Sequence, residues 1–355
     1  MANNKEKPEK AVETERQEPL PVPDLPERFL MDLHGDCNLR CPMCFRHGGV
    51  EKEEKKPFIG TMPVDAVRKV LDEIMVAQPL IQPSTWGEPL IIPELRTHIT
   101  AMKERGISVA MNTNGLTLTE ETAKFFVEIK LDAIFFSMDS MTPETLQKVR
   151  GVDKLEKIRR NFMMMLEVRG DATLPRIGAT FTVQEENEHE LEEFIEYWTQ
   201  HADVVRVGGV LSRGRALGIE VPEKRTPCGS LYMTMPVHSN GNALLCCLDS
   251  DAEHVMGNVF EDGVKAVWHG EGFTRMRKLH EAGDYDAIPF CKSCDVWAGY
   301  AYEEEIKGNL LIRRSPQFIY YNRIDRLKSW GENLRGHETP DPESYPETAA
   351  KIDAA

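Results

Sequence analysis

Short apolar runs and longer stretches with apolar residues every third or fourth position alternate along the chain from Phe29 to Val207. The short runs predict strands at Phe29–Leu33, Leu80–Gln82, Ser108–Met111, Ala133–Ser137, Ile177–Val183 and Val204–Val207. The longer stretches predict helices starting near Pro63, Pro93, Thr119, Thr142 and His189, with another from about Leu155 to Arg169. Thr117 with Glu120 fits a capping box, and Thr142 places a cap ahead of Pro143 at a first helical position. Six strand–helix repeats imply parallel strands joined by right-handed crossovers. Six is short of the eight that close a full barrel, so the α/β fold class is either a partial (β/α)6 TIM-like barrel or an open doubly wound sheet.

After about residue 212 this rhythm stops and a smaller cysteine-bearing region begins. The expected organisation is a disordered leader over 1–27, rich in Glu, Lys and Pro, then a core domain over 28–215 and an auxiliary domain over 216–312. Residues 313–355 are expected to form a C-terminal helix, marked by Tyr320, Tyr321 and Trp330, and an acidic tail.

Composition narrows the function. Of 355 residues, 41% are hydrophobic and 28% charged, which is ordinary for a globular chain. The net charge of −15 argues against nucleic acid as a partner, because phosphate binding needs a basic footprint. No apolar run is long enough for a membrane span and no secretory signal is evident, so a cytoplasmic location is expected. There the eight cysteines are expected to serve metal or redox chemistry rather than disulfides.

Three of them, Cys37, Cys41 and Cys44, fall in one short loop after the first strand. Three thiolates leave one iron of a four-iron cube unfilled, which points to an exogenous ligand. The alternative is a zinc site completed by His34 or His47. A CxxxCxxC loop after the first strand of a strand–helix repeat resembles the radical S-adenosylmethionine (SAM) superfamily. That resemblance implies a SAM-binding 4Fe-4S cluster whose reduction splits SAM to a 5′-deoxyadenosyl radical, which abstracts a substrate hydrogen atom. Trp86-Gly87-Glu88-Pro89 resembles the family's GGEP segment, with Trp in place of the first Gly. By the same resemblance Gly87, Glu88, Asn114 of the Asn112–Gly115 turn, Ser137, Asp139 and Arg150 are expected to contact SAM. All lie at or just beyond C-terminal strand ends, where parallel α/β folds place their sites.

Cys228, Cys246, Cys291 and Cys294 supply the four ligands of a closed site. Their spacing, with Met256–Phe260, Val267–His269 and Ile288-Pro289, resembles the SPASM/twitch extensions of radical SAM enzymes. It implies a second, auxiliary 4Fe-4S cluster; with no cysteine after Cys294, the shorter twitch type fits better. A structural zinc ribbon is the alternative. Cys247 reads as an alternative ligand, a buried bystander, or a thiol that returns a hydrogen atom to a substrate radical, which would imply epimerisation.

The resemblance, covering roughly residues 29–300, implies a radical SAM oxidoreductase or epimerase whose auxiliary cluster takes an electron or orients substrate. A sugar- or aminocyclitol-like small molecule is the expected substrate, with reductant from a donor such as flavodoxin or ferredoxin. A peptide- or protein-modifying maturase and a non-catalytic iron–sulfur or zinc scaffold remain as alternatives. Arg206, Arg213 and Arg215 read as a solvated basic patch, with anion binding as the other possibility.

Overall fold

The computed structural model describes residues 21–48, 60–210, 220–300 and 302–330. At its centre lie six parallel strands: β1 (Arg28–Met31), β2 (Leu80–Gln82), β3 (Ser108–Thr113), β4 (Ala133–Ser137), β5 (Arg176–Val183) and β6 (Val204–Gly209). They pair in chain order. The crossovers carry α1 (Val64–Ile74), α2 (Leu95–Glu104), α3 (Glu120–Glu128), α4 (Pro143–Arg150), α5 (Leu155–Arg169) and α6 (Leu191–Trp198). In α1 the buried residues Val67, Val70, Leu71 and Ile74 recur at helical spacing, so one stripe faces the sheet. Thr142 caps α4 through the Thr145 N–H, with Pro143 in its first turn, as the sequence predicts. In α3 the cap is Thr119, whose hydroxyl accepts from Thr122 N–H, and not Thr117: the extended backbone at Thr119 is what turns its oxygen back onto the helix.

β1 and β6 do not pair, so the sheet stays open. Beyond β1 it continues through β7 (Thr234–Val237), parallel to β1, then β8 (Asn242–Leu244) and β9 (Val255–Asn258), both antiparallel. Four helices complete this region: α7 (Ser230–Met233), α8 (Val264–Trp268), α9 (Glu271–Glu281) and α10 (Pro289–Lys292). Beyond β6 it continues through β10 (Glu303–Lys307), β11 (Leu310–Arg314) and β12 (Phe318–Arg323), with β12 antiparallel to β6.

This last hairpin corrects the expected C-terminal helix. Tyr320 and Tyr321 lie on a strand, and only Ile324–Trp330 turns, as a 3-10 helix. Phe318, Ile319, Tyr320 and Tyr321 are β-branched or aromatic, and β6 offers an open edge whose backbone groups this strand satisfies. The expected domain boundary at 312 therefore falls inside β11. The leader is also shorter than expected at its C-terminal end. Leu25 joins the core, and the Trp268 indole donates to Pro23 O at 3.0 Å. Residues 1–20 and the tail beyond 330 lie outside the described residues.

The faces of the central sheet divide cleanly. Phe136 of β4 meets Phe162 of α5 edge-on at 5.0 Å, and Phe181 of β5 meets Phe194 of α6 at 4.8 Å. Those residues point into the helical layer, so their neighbours Phe135, Ser137, Thr180 and Arg206 point to the opposite, open face.

Asp203, fully buried before β6, fixes the far end of this sheet. Its carboxylate pairs with Arg169 of α5, accepts from Ile177 N–H at 2.8 Å and pairs with Arg326 at 3.0 Å. Truncation leaves the Arg169 guanidinium buried without its counter-charge. Asp203→Ala should therefore lose about 3–5 kcal/mol in denaturant unfolding. An unchanged midpoint would show that this cluster is not structural.

Candidate functional site

β1 delivers the chain into the loop that carries Cys37, Cys41 and Cys44. The loop is held at its root by Asp32, whose buried carboxylate accepts from Thr85 and Trp86 N–H, both at 3.4 Å. Asp36 Oδ1 accepts from Cys37 N–H at 2.8 Å, and Cys44 N–H donates to Cys41 O at 2.9 Å, curling the chain back on itself. Two backbone N–H groups are aimed at sulfur: Leu39 at Cys37 Sγ (3.4 Å) and His47 at Cys44 Sγ (3.3 Å). Burial pushes the Cys37 thiol up to about 11, with Glu88, Cys41 and Cys44 adding to it, and Cys41 is raised by burial likewise. Thiolates in such a loop exist only beside a cation, which is the condition that an iron–sulfur cluster meets.

The strand ends close around this loop. Gly87 lies so near it that a Cβ would collide with the carbonyl oxygens of His34 and Asp36, and Glu88 N–H donates to Asp36 O at 2.9 Å. The Glu88 carboxylate is buried and accepts from Leu90 N–H (3.0 Å), Thr113 Oγ1 (2.5 Å) and Asn114 N–H (2.8 Å). Burial raises its pKa against those bonds. Glu88 thus ties the end of β3 to the end of β2. Asn114 Nδ2 then reaches Asn38 Oδ1 in the cysteine loop at 2.7 Å.

Arg150, at the end of α4, has a guanidinium nitrogen 4.0 Å from Cys41 Sγ. It is held by buried Asp139, which takes its Nε at 2.6 Å and also accepts from Thr182 N–H at 2.6 Å. Asp139 itself sits in the left-handed region, at φ +57°. Its carboxylate is therefore committed to Arg150 and β5, and any influence on a ligand passes through Arg150. Ser137 stands partly exposed at the end of β4 on the open face.

The later cysteines form a second group. Cys294 N–H donates to Cys291 O at 3.2 Å, and Cys228 N–H to His280 Nδ1 at 3.2 Å. Burial pushes Cys228 up to about 12 and Cys291 to about 11, and each is raised further by other thiols of this group. Arg225 faces them: it donates to Cys291 O at 2.8 Å and stacks over Tyr285 at 4.1 Å. Cys246 is raised by burial and then by Cys247, Cys228 and Cys291. Cys247 is raised by burial and by Cys294, against Arg28. Five thiols, not four, therefore gather here, and the sulfur neighbours acting on Cys247 belong to this group.

The two loops are joined directly, which the sequence did not reveal. Trp86 Nε1 donates to Cys247 O at 2.8 Å, and its indole meets His238 edge-on at 4.6 Å. Arg46, two residues after Cys44 and buried, donates to Ser250 O and pairs with Asp251 at 3.6 Å. The departure from the family pattern at Trp86 was the one signal available; nothing in the sequence singled out Arg46. Of the histidines weighed as zinc ligands, His34 Nδ1 is bonded to Thr61 Oγ1 at 2.8 Å, and burial lowers the pKa of His47. Among the described residues, no three His, Cys, Asp or Glu side chains converge closely enough for a single metal ion. Arg206 lies on the open face of β6, while Arg213 and Arg215 lie outside the described residues. Among the described residues, no helix is long and apolar enough to cross a membrane.

Comparison with known proteins agrees with this geometry. A model of the radical SAM superfamily matches residues 32–197, and one of the SPASM iron–sulfur cluster-binding domain matches 228–295. A tungsten-containing aldehyde ferredoxin oxidoreductase cofactor-modifying protein of Pyrococcus furiosus is 31% identical over 173 residues. That match spans 47% of this chain and 46% of the relative, under half of either protein. Among solved structures, BtrN in complex with AdoMet and 2-DOIA has a TM-score of 0.51 at 17% identity, covering 76% of this chain and 93% of that one. Streptococcus suis SuiB bound to precursor peptide SuiA has a TM-score of 0.52 at 18% identity, covering 71% and 66%. These likenesses show the fold. The two domains bring with them SAM, the 4Fe-4S cluster that binds it, and auxiliary iron–sulfur ligation. The all-thiol groups, with N–H donors aimed at sulfur in the first, fit those cofactors.

The bridge also carries a pH prediction. Burial, and then Arg46, depresses the pKa of His238 to about 4. Because the folded value lies below the ordinary histidine value of about 6.5, protons bind the unfolded form first. Stability is full above about pH 6.5 and falls as the pH drops towards 4. Unfolding midpoints measured across this window should decline, and His238→Asn should flatten the decline; an unaltered slope in that variant would exclude His238 as its source.

Proposed function

The chain belongs to the radical SAM superfamily, and on that premise we propose that it dehydrogenates a small molecule with the help of an auxiliary cluster. Cys37, Cys41 and Cys44 are assigned to the SAM-binding cluster, and Cys228, Cys246, Cys291 and Cys294 to the auxiliary one. When bound and reduced, the first cluster and SAM supply a 5′-deoxyadenosyl radical that takes a hydrogen atom from the substrate.

The chain's own residues do the rest. Gly87 lets the end of β2 approach the cysteine loop, and Glu88 and Asn114 lock the loop to β3. Arg150, fixed by Asp139, holds a permanent positive charge beside Cys41 and is suited to a carboxylate of SAM. Ser137 offers a hydroxyl at the end of β4, on the open face. Water is kept from the space between the loops by Trp86 and Arg46, both buried.

One observation supports oxidation over the other readings: the indole of Trp86, in the SAM-side segment, is hydrogen-bonded to the backbone of Cys247 in the auxiliary loop. With the loops bonded directly, Cys228, Cys246, Cys291 and Cys294 would hold the auxiliary cluster near the SAM side, where it would supply an acceptor for the substrate's second electron, the proton going to solvent. Cys247, grouped with the auxiliary thiols, is better read as their neighbour than as a hydrogen donor. The small-molecule reading draws on the relative named for modifying a cofactor and on a GTP 3′,8-cyclase of Tolumonas auensis, 31% identical over 168 residues. Flavodoxin or ferredoxin would supply the reducing electron.

Anaerobic reconstitution tests this. The protein should take up about eight irons per chain, four for each cluster, and cleave SAM on reduction. Cys41→Ala should keep about half the iron and lose cleavage entirely, while Cys291→Ala should retain cleavage without substrate. Cys247→Ala should turn over as the wild type does. Bound zinc with no SAM cleavage would end the proposal.

A further inference from the structure

Arg206 is not part of a solvated patch. It projects from β6 onto the open face of the sheet, with its guanidinium 5.2 Å from the ring centre of Phe135 on one side and 5.9 Å from that of Phe318 on the other. Both rings are seated over strand glycines, Gly178 and Gly208, where any Cβ would meet them. One edge of the guanidinium is held by Asn112 Oδ1 at 3.0 Å. Among the described residues, no carboxylate pairs with it.

Its position matters as much as its setting. Ser137, Thr180 and Arg206 are register partners on β4, β5 and β6, and Tyr320 of β12 extends the row. Partners in one row share a face, and strands stand about 4.8 Å apart, so the backbones of Arg206 and Ser137 lie about 10 Å apart across the sheet. The Arg206 side chain reaches across that distance, because its guanidinium lies over Phe135 of β4 and bonds Asn112 of β3, which brings the cation over the strand that carries Ser137.

We infer that Arg206 is the substrate anchor and that the substrate carries a carboxylate; this rests on the reading of the open face as the reacting side of a radical enzyme. The two rings approach the guanidinium carbon at 5.2 and 5.9 Å and offer it no hydrogen-bond acceptor, so its N–H groups are left to donate elsewhere. One edge is spent on a neutral amide, and the other presents paired N–H groups of the geometry that a carboxylate accepts. A cation partly withdrawn from water beside a neutral acceptor is costly unless a ligand balances it, and a single guanidinium among neutral groups balances a monoanion. The hairpin β11–β12 is part of this device, because Phe318 comes from it.

The test uses the reconstituted, SAM-loaded full chain, in which the cofactor's own carboxylate site is filled. Fluorine NMR follows binding of 4-fluorobenzoate and of 4-fluorobenzamide. The acid should bind and the neutral amide should not. Arg206→Gln should weaken the acid by at least about tenfold, the loss expected for a charge-assisted bond. Asn112→Asp, which leaves Arg206 in place but supplies it with an internal carboxylate, should weaken it similarly. Equal binding of acid and amide, unchanged binding in both variants, or no binding of the acid by the wild type would each overturn the assignment. SAM cleavage on reduction is read separately, on the wild-type protein. Its absence from the wild type would count against the proposed reaction and leave the binding result standing.

Discussion

The hydrogen bond from the Trp86 indole to the Cys247 carbonyl is the contact on which the rest of the site turns. The first cysteine loop is irregular backbone pinned to the ends of β2 and β3 through Asp32, Glu88 and Asn114. The bond from Trp86 holds the loop of Cys246 and Cys247 against that pinned assembly. Arg46 repeats the tie a few residues away, reaching the carbonyl of Ser250, and both side chains are buried, where such bonds escape competition from water. Under the proposed oxidation, a bond that sets the distance between the loops would also set how far the substrate's electron has to travel.

A second theme is how little of the machinery near the cysteines is free to meet a ligand. The carboxylates of Glu88 and Asp139 look in sequence like ligand contacts, yet both are consumed in holding other parts of the site, one the end of β3 and the other Arg150. The site is built by using charged residues as internal braces so that a few others keep fixed positions.

Much of this was legible beforehand, for identifiable reasons. Strands at Leu80–Gln82 and Ala133–Ser137 and the helix Leu155–Arg169 came out with the boundaries their periodicity predicts. The cysteines were legible because thiol spacing is a chemical constraint that survives without tertiary context. Three things were not. The final hairpin alternates apolar and polar residues only loosely, and it is a strand because β6 leaves an edge to be filled. Arg46 looks like any surface arginine until the loop at Ser250 closes over it. Arg206 reads as one of three nearby basic residues, and its distinct role depends on which face of β6 it occupies and on Phe318, more than a hundred residues later. Long-range partners of this kind leave no local pattern.

The parallel pairing of β7 with β1 has an architectural meaning. Two family models divide this chain into two modules, but the sheet does not: the auxiliary region begins by completing the hydrogen bonds of the first strand of the core, and Glu73 of α1 caps α8 across the same border. Cutting the chain between the modules would leave β1 with a bare row of amide and carbonyl groups, a surface prone to aggregate. The second module is thus less a passenger than the missing wall of the first. Such a chain acquires or loses its auxiliary cluster only by rebuilding the edge of its catalytic sheet.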